Sequence, residues 1–325
     1  MKAIVYRTYG SPEVLKLQEI PKPIPKDKEV LVKVVAVSVN SWDWDLLRGE
    51  PILIRMWGLF RPGYNILGSD IAGVVENVGS EVKNLNPGDE VFGDLSASGW
   101  GGFAEYVCAP ENALALKPAN MTFEQAASLP QAGVLAYQGL FDYGKIESGK
   151  KVLINGAGGG VGTFAIQIAK SIGTQITGVD SHDKLDMLKE LGAEYVLDYR
   201  KENFTKTGKK YDLIIDNVAN RSLSDYKRAL NPGGIYVMVG GSMSTILQAM
   251  LFSKLLSTFG TKKLEILAHK PNKDLDALIE LYDSGAYQPI LEKTYSLSET
   301  PEALRLLGEG KAFGKVVILV DKTSV

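Results

Sequence analysis

Residues 151–162 read Lys-Val-Leu-Ile-Asn-Gly-Ala-Gly-Gly-Gly-Val-Gly, an apolar strand that runs straight into five glycines. Val152–Ile154 supply the strand, and Gly156, Gly158, Gly159, Gly160 and Gly162 supply the turn. Val161, Ala165, Ile168 and Ile172 then recur at helical spacing. Glycines at such a turn let the backbone double back and let a pyrophosphate come close. The helix N-terminus adds N–H groups without intrahelical acceptors and the positive end of a dipole. The strict G-x-G-x-x-G spacing is absent, so the run also reads as a glycine-rich turn that holds no ligand. The context favours dinucleotide binding: a strand before, a helix after, and a carboxylate, Asp180, at the end of the next strand.

Outward from this turn, strand and helix alternate. Strand patterns fall at 151–155, 175–180, 194–198, 211–217, 235–240 and 263–268, with helices at 161–172, 183–191 and 222–230. Such alternation predicts a doubly wound parallel sheet, its six strands in the order 3-2-1-4-5-6, with a ligand beyond the strand carboxyl ends. Asn217-Val218 and Val239-Gly240-Gly241-Ser242 end two of these strands and are expected to line the ligand cleft. Thr122, followed by Glu124 and Gln125, marks a helix start, and a second helix is expected at about 133–143. Residues 1–120 read as all-β, with valine-rich Val30–Val39 and turn signals such as Asn86-Pro87-Gly88-Asp89. A partly open barrel is the economical architecture for them. The tail after 270, one helix at Asp274–Tyr282 and a last strand at Lys315–Val320, is too small to fold alone and is expected to return to the first domain.

The chain has 325 residues, which suits two domains, and its 45% hydrophobic and 23% charged content is ordinary for a soluble protein. Net charge is −2 with no basic run, so nucleic-acid binding is not suggested. The lone cysteine, Cys108, excludes an intrachain disulfide and fits a reducing, cytoplasmic setting; the N-terminus has no signal-peptide layout. The apolar stretches 51–60 and 243–259 are too short to span a bilayer and are expected to be buried or to flank a ligand cleft.

Several further motifs resemble those of the medium-chain dehydrogenase/reductases. Gly68–Gly79 (GSDIAGVVENVG) resembles their G-x-E/D-x-x-G-x-V segment, Pro87–Gly93 their next turn, and Gly101-Gly102-Phe103-Ala104-Glu105-Tyr106 their G-G-x-A-E-Y strand. With the glycine loop and Leu191-Gly192-Ala193, the likeness covers almost the whole chain and is greatest to the zinc-free quinone oxidoreductase-like branch, which includes the alkenal and enone reductases. It implies an α/β protein with a GroES-like, partly open β-barrel catalytic domain (1–122 and 271–325) split around a Rossmann domain (123–270). The implied activity is hydride transfer from NAD(P)H to quinones or α,β-unsaturated carbonyls. A catalytically silent nucleotide-binding protein of this fold and an alcohol dehydrogenase-like enzyme are the alternatives.

At the positions of the first two zinc ligands of the metal-dependent branch stand Asn40 and Ser69, and the only histidines are His182 and His269. A catalytic zinc needs three ligands of Cys, His or carboxylate type, so no zinc is expected. No tyrosine is followed by lysine four residues on, which removes the short-chain reductase pair. The resemblance instead points to Asn40 and Asp43 as catalytic, though turn chemistry favours the same residues. Trp42, Trp44 and Tyr64 could wall an aromatic substrate slot, and Tyr64 joins the catalytic set. For the cofactor, Asp180 would hold the ribose hydroxyls of NADH and repel a 2′-phosphate. Lys184 and Tyr199, however, match positions that contact that phosphate in NADPH-dependent quinone reductases. NADPH is the expectation and NADH the alternative. Phe313-Gly314-Lys315 resembles the C-terminal segment that returns over the cofactor. The edge position of strand 263–268 leads us to expect a homodimer.

Overall fold

The computed structural model describes residues 1–241, 245–251 and 261–320. The chain divides into two compact units: Met1–Gln131 with Pro271–Leu275 and Leu291–Val325, and Ala132–Lys270 with Asp276–Ile290. The first boundary therefore falls nine residues beyond the expected 122, and the helix Leu275–Asp283 lies almost wholly with the second unit.

In the first unit, β1 (Lys2–Val5) and β2 (Lys16–Glu19) form a two-stranded sheet. A mixed sheet is built on β3 (Glu29–Val39), with β4 (Asp70–Val78), β5 (Glu90–Asp94), β6 (Tyr106–Pro110), β7 (Ala115–Leu116) and the late strands β14 (Leu291–Ser296) and β15 (Lys315–Leu319). Its path runs β14-β15-β3-β4-β5-β7, and β6 pairs with the N-terminal half of β3. All but the β14–β15 pair are antiparallel. Buried Val30, Val32, Val34, Ile71, Phe103 and Ile318 fill its core, as alternation along strands requires.

The all-β expectation for residues 1–120 is corrected by a helix, α1 (Ser41–Arg48). The carboxylate of Asp43 accepts from the Asn40 backbone N–H at 2.9 Å, a reach back from the third helical residue to the cap. Gly49, at φ +61°, ends the helix in the left-handed conformation that costs glycine least. Leu46 and Leu47 face the core. The apolar run after it is less buried than expected: Ile54 is inside, but Ile52, Met56, Leu59 and Phe60 are exposed. Helix α2 (Phe123–Ser128) starts where the sequence places it, with Thr122 and Gln125 capping each other.

The second unit holds a six-stranded, all-parallel sheet: β8 (Lys151–Asn155), β9 (Gln175–Asp180), β10 (Tyr195–Asp198), β11 (Tyr211–Asp216), β12 (Leu230–Met238) and β13 (Lys263–Ile266). The order β10-β9-β8-β11-β12-β13 is the predicted 3-2-1-4-5-6. Helices α4 (Gly160–Ser171), α5 (Leu185–Leu191) and α6 (Leu223–Ala229) fall within two residues of the expected ones, while α3 (Pro130–Tyr137) starts three residues early and passes into a π-helix over Gln138–Tyr143. Leu153, Val179, Ile214 and the stacked rings of Tyr226 and Tyr236, 4.3 Å apart, make its core. Of the apolar stretch 243–259, only 245–251 is among the described residues; it is helical and exposes Met250 and Leu251.

Candidate active site

Two regions gather the predicted residues, one in each unit. In the second unit the glycine loop leaves β8 at Gly156, whose φ of +72° requires glycine. The N–H groups of Gly156 and Ala157 donate to Val179 O, which ties the loop to β9. The glycines then divide by what a side chain would meet. A Cβ on Gly162 would lie 2.4 Å from Gly156 O, and one on Gly158 2.6 Å from Lys184. One on Gly156 would strike Val218 at 2.7 Å. Those three are dictated by the protein's own packing. Gly159 differs: its Cβ would meet one atom, Gly156 O, at 3.6 Å. Gly159 caps α4, and Gly160, Val161 and Gly162 form its first turn, whose N–H groups precede the first i−4 acceptor. Open space in front of a helix N-terminus is what an anion needs.

The neighbouring strand ends complete this region. Asp216, the last residue of β11, is wholly buried and accepts from Asn155 Nδ2 (2.8 Å), Tyr236 Oη (3.1 Å) and Val218 N (3.1 Å). Burial pushes its carboxyl up, and these bonds hold it down. The sequence reading missed Asp216; an acidic residue at the carboxyl end of an apolar strand was the available signal. It shapes the loop that presents Asn217 and Val218. Asn217 donates through Nδ2 to Asn155 O at 3.0 Å, while its buried Oδ1 has no hydrogen-bond partner among the described residues. Gly240 and Gly241 stand beside it, closed to any side chain by Asn217 O and Ala219. Ser242 lies outside the described residues.

At the end of β9, Asp180, Lys184 and Tyr199 come together. Asp180 is turned inward: it accepts from Gly158 N at 2.7 Å and Ser181 N at 2.8 Å, with Lys184 Nζ at 3.9 Å. Tyr199 donates its backbone N–H to Asp180 O, and its half-exposed ring lies under the Arg200 guanidinium at 5.6 Å. Arg200 is a cation that the sequence reading did not single out.

In the first unit the sheet register assembles a buried polar cluster. Asp94, Asp70 and Ser38 lie in one cross-strand row over β5, β4 and β3. Continuing the pairing of Val316 with Val39 by one residue sets Lys315 opposite Asn40. Lys315 was expected at the cofactor; the structure places it in this cluster of the first unit. Its side chain is 3% exposed, and its ammonium donates to Asn40 Oδ1 and Val39 O and lies 3.7 Å from Asp70. The alternation of β15 turns it into the sheet, with Gly314 at φ +63° and Phe313, bonded through its N–H to Glu292, leading in. Asn40 Nδ2 donates to Ser69 Oγ at 3.3 Å. Asp70 also accepts from Ser38 Oγ and Gln131 N. Burial, then nearby Asp94, push its carboxyl up to about 7, and Lys315 draws it back. Burial conversely lowers Lys315 against the pull of the carboxylates.

Asp43, expected in the catalytic set, has both oxygens engaged by the backbone. It is fully buried, one oxygen accepting from Asn40 N and the other from Gly68 N, each at 2.9 Å. Burial pushes it up to about 7 against those two bonds. Tyr64 stacks on Trp100 at 4.8 Å, and Trp100 lies 6.4 Å from Trp42. Trp100, which the sequence reading passed over, takes the place expected of Trp44, since Trp44 packs on Gly308 instead. The half-buried thiol of Cys108 is pushed up to about 11 and is no thiolate nucleophile. Among the described residues no group of three His, Cys, Asp or Glu is placed to hold a metal, and no helix is long and apolar enough to cross a membrane.

Known proteins share this fold. The chain matches the family models described as alcohol dehydrogenase GroES-like domain over residues 26–119, alanine dehydrogenase/PNT C-terminal domain over 138–220, and zinc-binding dehydrogenase over 191–318. It is 35% identical to the 2-methylene-furan-3-one reductase of Solanum lycopersicum, over 98% of this chain and 79% of the relative. Its fold matches the quinone oxidoreductase of Coxiella burnetii with a TM-score of 0.89 at 31% identity, over 99% of both chains. The Escherichia coli quinone oxidoreductase, solved in complex with NADPH, matches with a TM-score of 0.85 at 25% identity over 98% of this chain and all of that one.

Proposed function

The chain belongs to the medium-chain dehydrogenase/reductase family, in its quinone oxidoreductase-like branch, and from that premise we propose that it reduces quinones or α,β-unsaturated carbonyls with NADPH and without a metal. The observation that carries this reading is the glycine cradle. Gly159 faces open space at the N-terminus of α4, and the buried Asn217 Oδ1, on the residue that packs at Gly156, is an acceptor with no partner among the described residues. A dinucleotide suits both: phosphate for the helix N-terminus, and a hydroxyl or amide donor for Asn217.

When bound, a reduced nicotinamide supplies the hydride for an electron-poor carbon. The protein's share is binding and orientation. Gly159 to Gly162 receive the pyrophosphate, and Asn217, Val218, Gly240 and Gly241 border it. Asp180 favours NADPH here despite its charge, because two backbone N–H groups and Lys184 already engage it. Lys184, Tyr199 and the adjacent Arg200 are the groups for a 2′-phosphate. Asn40 presents an amide N–H to the acceptor oxygen, which gains charge as hydride arrives. Tyr64, with Trp100 and Trp42, forms an aromatic wall for a planar acceptor. A cytoplasmic homodimer belongs to this reading: the single cysteine fits a reducing compartment, and β13 pairs only with β12 among the described strands.

The test is steady-state oxidation of NADPH by protein dialysed against a strong chelator, with a panel of quinones and enones. Turnover unchanged by chelation is expected. Tight NADPH binding by calorimetry with no turnover of any acceptor would instead favour a nucleotide-binding protein without catalysis.

A further inference from the structure

Asn40 has two possible amide orientations, and its buried polar neighbours decide between them from both ends. Its side chain is 4% exposed and touches two polar neighbours, Ser69 Oγ and Lys315 Nζ. The one proton of the Ser69 hydroxyl is directed to Asp70 Oδ1, 3.4 Å away, which leaves Ser69 Oγ to accept from the amide. An ammonium only donates. Lys315 therefore holds Oδ1 at one end, while Nδ2 at the other donates to Ser69. Lys315 is itself fixed by the carboxylate of Asp70, at 3.7 Å, and by Val39 O at the end of β3. Asp70 in turn is held by Ser38 Oγ and the Gln131 N–H.

We propose that Lys315, anchored by Asp70, is a positioning residue for the reaction: it locks the Asn40 side-chain amide with its N–H groups toward the acceptor carbonyl. The inference rests on the reading of Asn40 as the group that touches the acceptor oxygen. It gives the Lys315–Asp70 pair a task that stability does not require, since a buried ion pair is often replaceable by apolar residues without loss of stability.

The variant that tests this removes both charges together, Lys315→Met with Asp70→Asn, so that no buried charge is left alone. We expect a folded protein by circular dichroism, NADPH affinity unchanged by calorimetry, and kcat lower by about ten- to a hundredfold, as for a misplaced catalytic group. The same pair of substitutions placed on Asn40→Ala should cost no further activity. Unchanged kcat in the folded variant, weakened NADPH binding, or a full additional loss on Asn40→Ala would each overturn the proposal. If Asn40→Ala alone leaves kcat intact, the reading of Asn40 falls instead. A second measurement needs no change to the pair. In ¹⁵N-labelled protein, the Asn40 side-chain amide, assigned by its absence in Asn40→Asp, should show two separate, exchange-protected proton resonances. One averaged resonance would mean that the amide is not locked.

Discussion

The glycine loop of the second unit and the polar cluster of the first are built from very different amounts of chain. The loop is one contiguous run, Gly156–Gly162, whose neighbours arrive from the ends of adjoining parallel strands. The cluster draws Asn40, Asp43, Ser69, Asp70, Asp94 and Lys315 from four strand ends and the first turn of α1. They are made of opposite materials as well. The loop works by leaving side chains out, so that backbone N–H groups face open space. The cluster works by burying charge and satisfying it. Substitution should therefore damage the first by adding atoms and the second by unbalancing ions.

The largest effect expected is at Gly162. A valine there would force its Cβ against Gly156 O and Ala157, at 2.4 and 2.5 Å. Displacing the loop should raise the NADPH dissociation constant by about 100-fold or more, roughly 3 kcal/mol. Gly159→Ala sharpens the point, because Gly159 has extended backbone angles and ordinary contact distances. The melting temperature should stay within about 2 °C while affinity falls about tenfold, since the added methyl meets ligand rather than protein. Equal loss of stability in the two variants would erase the distinction between packing glycines and the binding glycine.

Next comes the ion pair. Lys315→Met alone strands the Asp70 carboxylate in the core and should cost about 3–5 kcal/mol of unfolding free energy. Adding Asp70→Asn should recover most of that in a denaturant titration. If the single variant is no less stable than the double, the cluster is not held by balanced charge.

A smaller, pH-dependent effect is expected from Asp43. Its carboxyl is pushed up to about 7 in the folded protein, against about 4 in an unfolded chain. The folded state thus holds a proton that the unfolded chain has released. This group's stabilising contribution is complete below about pH 4 and is lost as pH rises through about 7. Wild-type stability, measured relative to Asp43→Asn, should fall from pH 5 to pH 8. A difference that does not change with pH would show that Asp43 is ionised throughout.

The smallest change concerns the end of β9. Lys184→Ala should lower the NADPH-to-NADH ratio of kcat/KM by about tenfold, the size of one charge-assisted contact, and leave NADH use almost untouched. An unaltered ratio would pass the 2′-phosphate to Tyr199 and Arg200.

Legibility in the sequence follows the same division. The order of the parallel sheet could be read because strand, glycine turn and helix alternate locally, and because such crossovers have one hand. Asn40-x-x-Asp43 was visible too, but as a turn; a capped helix and a turn use the same side-chain-to-backbone bonds. That Lys315 joins the buried cluster could not be read, because nothing local says which face of β15 is inward. Trp44 and Trp100 exchanged roles for the same reason. Trp44 packs on Gly308, whose added side chain would meet its ring at 2.4 Å, a relation between residues 264 positions apart.

What the sequence determined by itself was the fold class, the glycine turn between β8 and α4, and which residues stand at the zinc-ligand positions, all of which rest on neighbours in the chain or on which residue types are present. Tertiary structure alone decided that Asp180 faces inward, that both Asp43 oxygens are engaged by backbone N–H groups, and that Lys315 meets Asn40. These depend on strand register, which pairs residues far apart in sequence, and on burial, which makes each charge seek whichever partner the register has brought within reach.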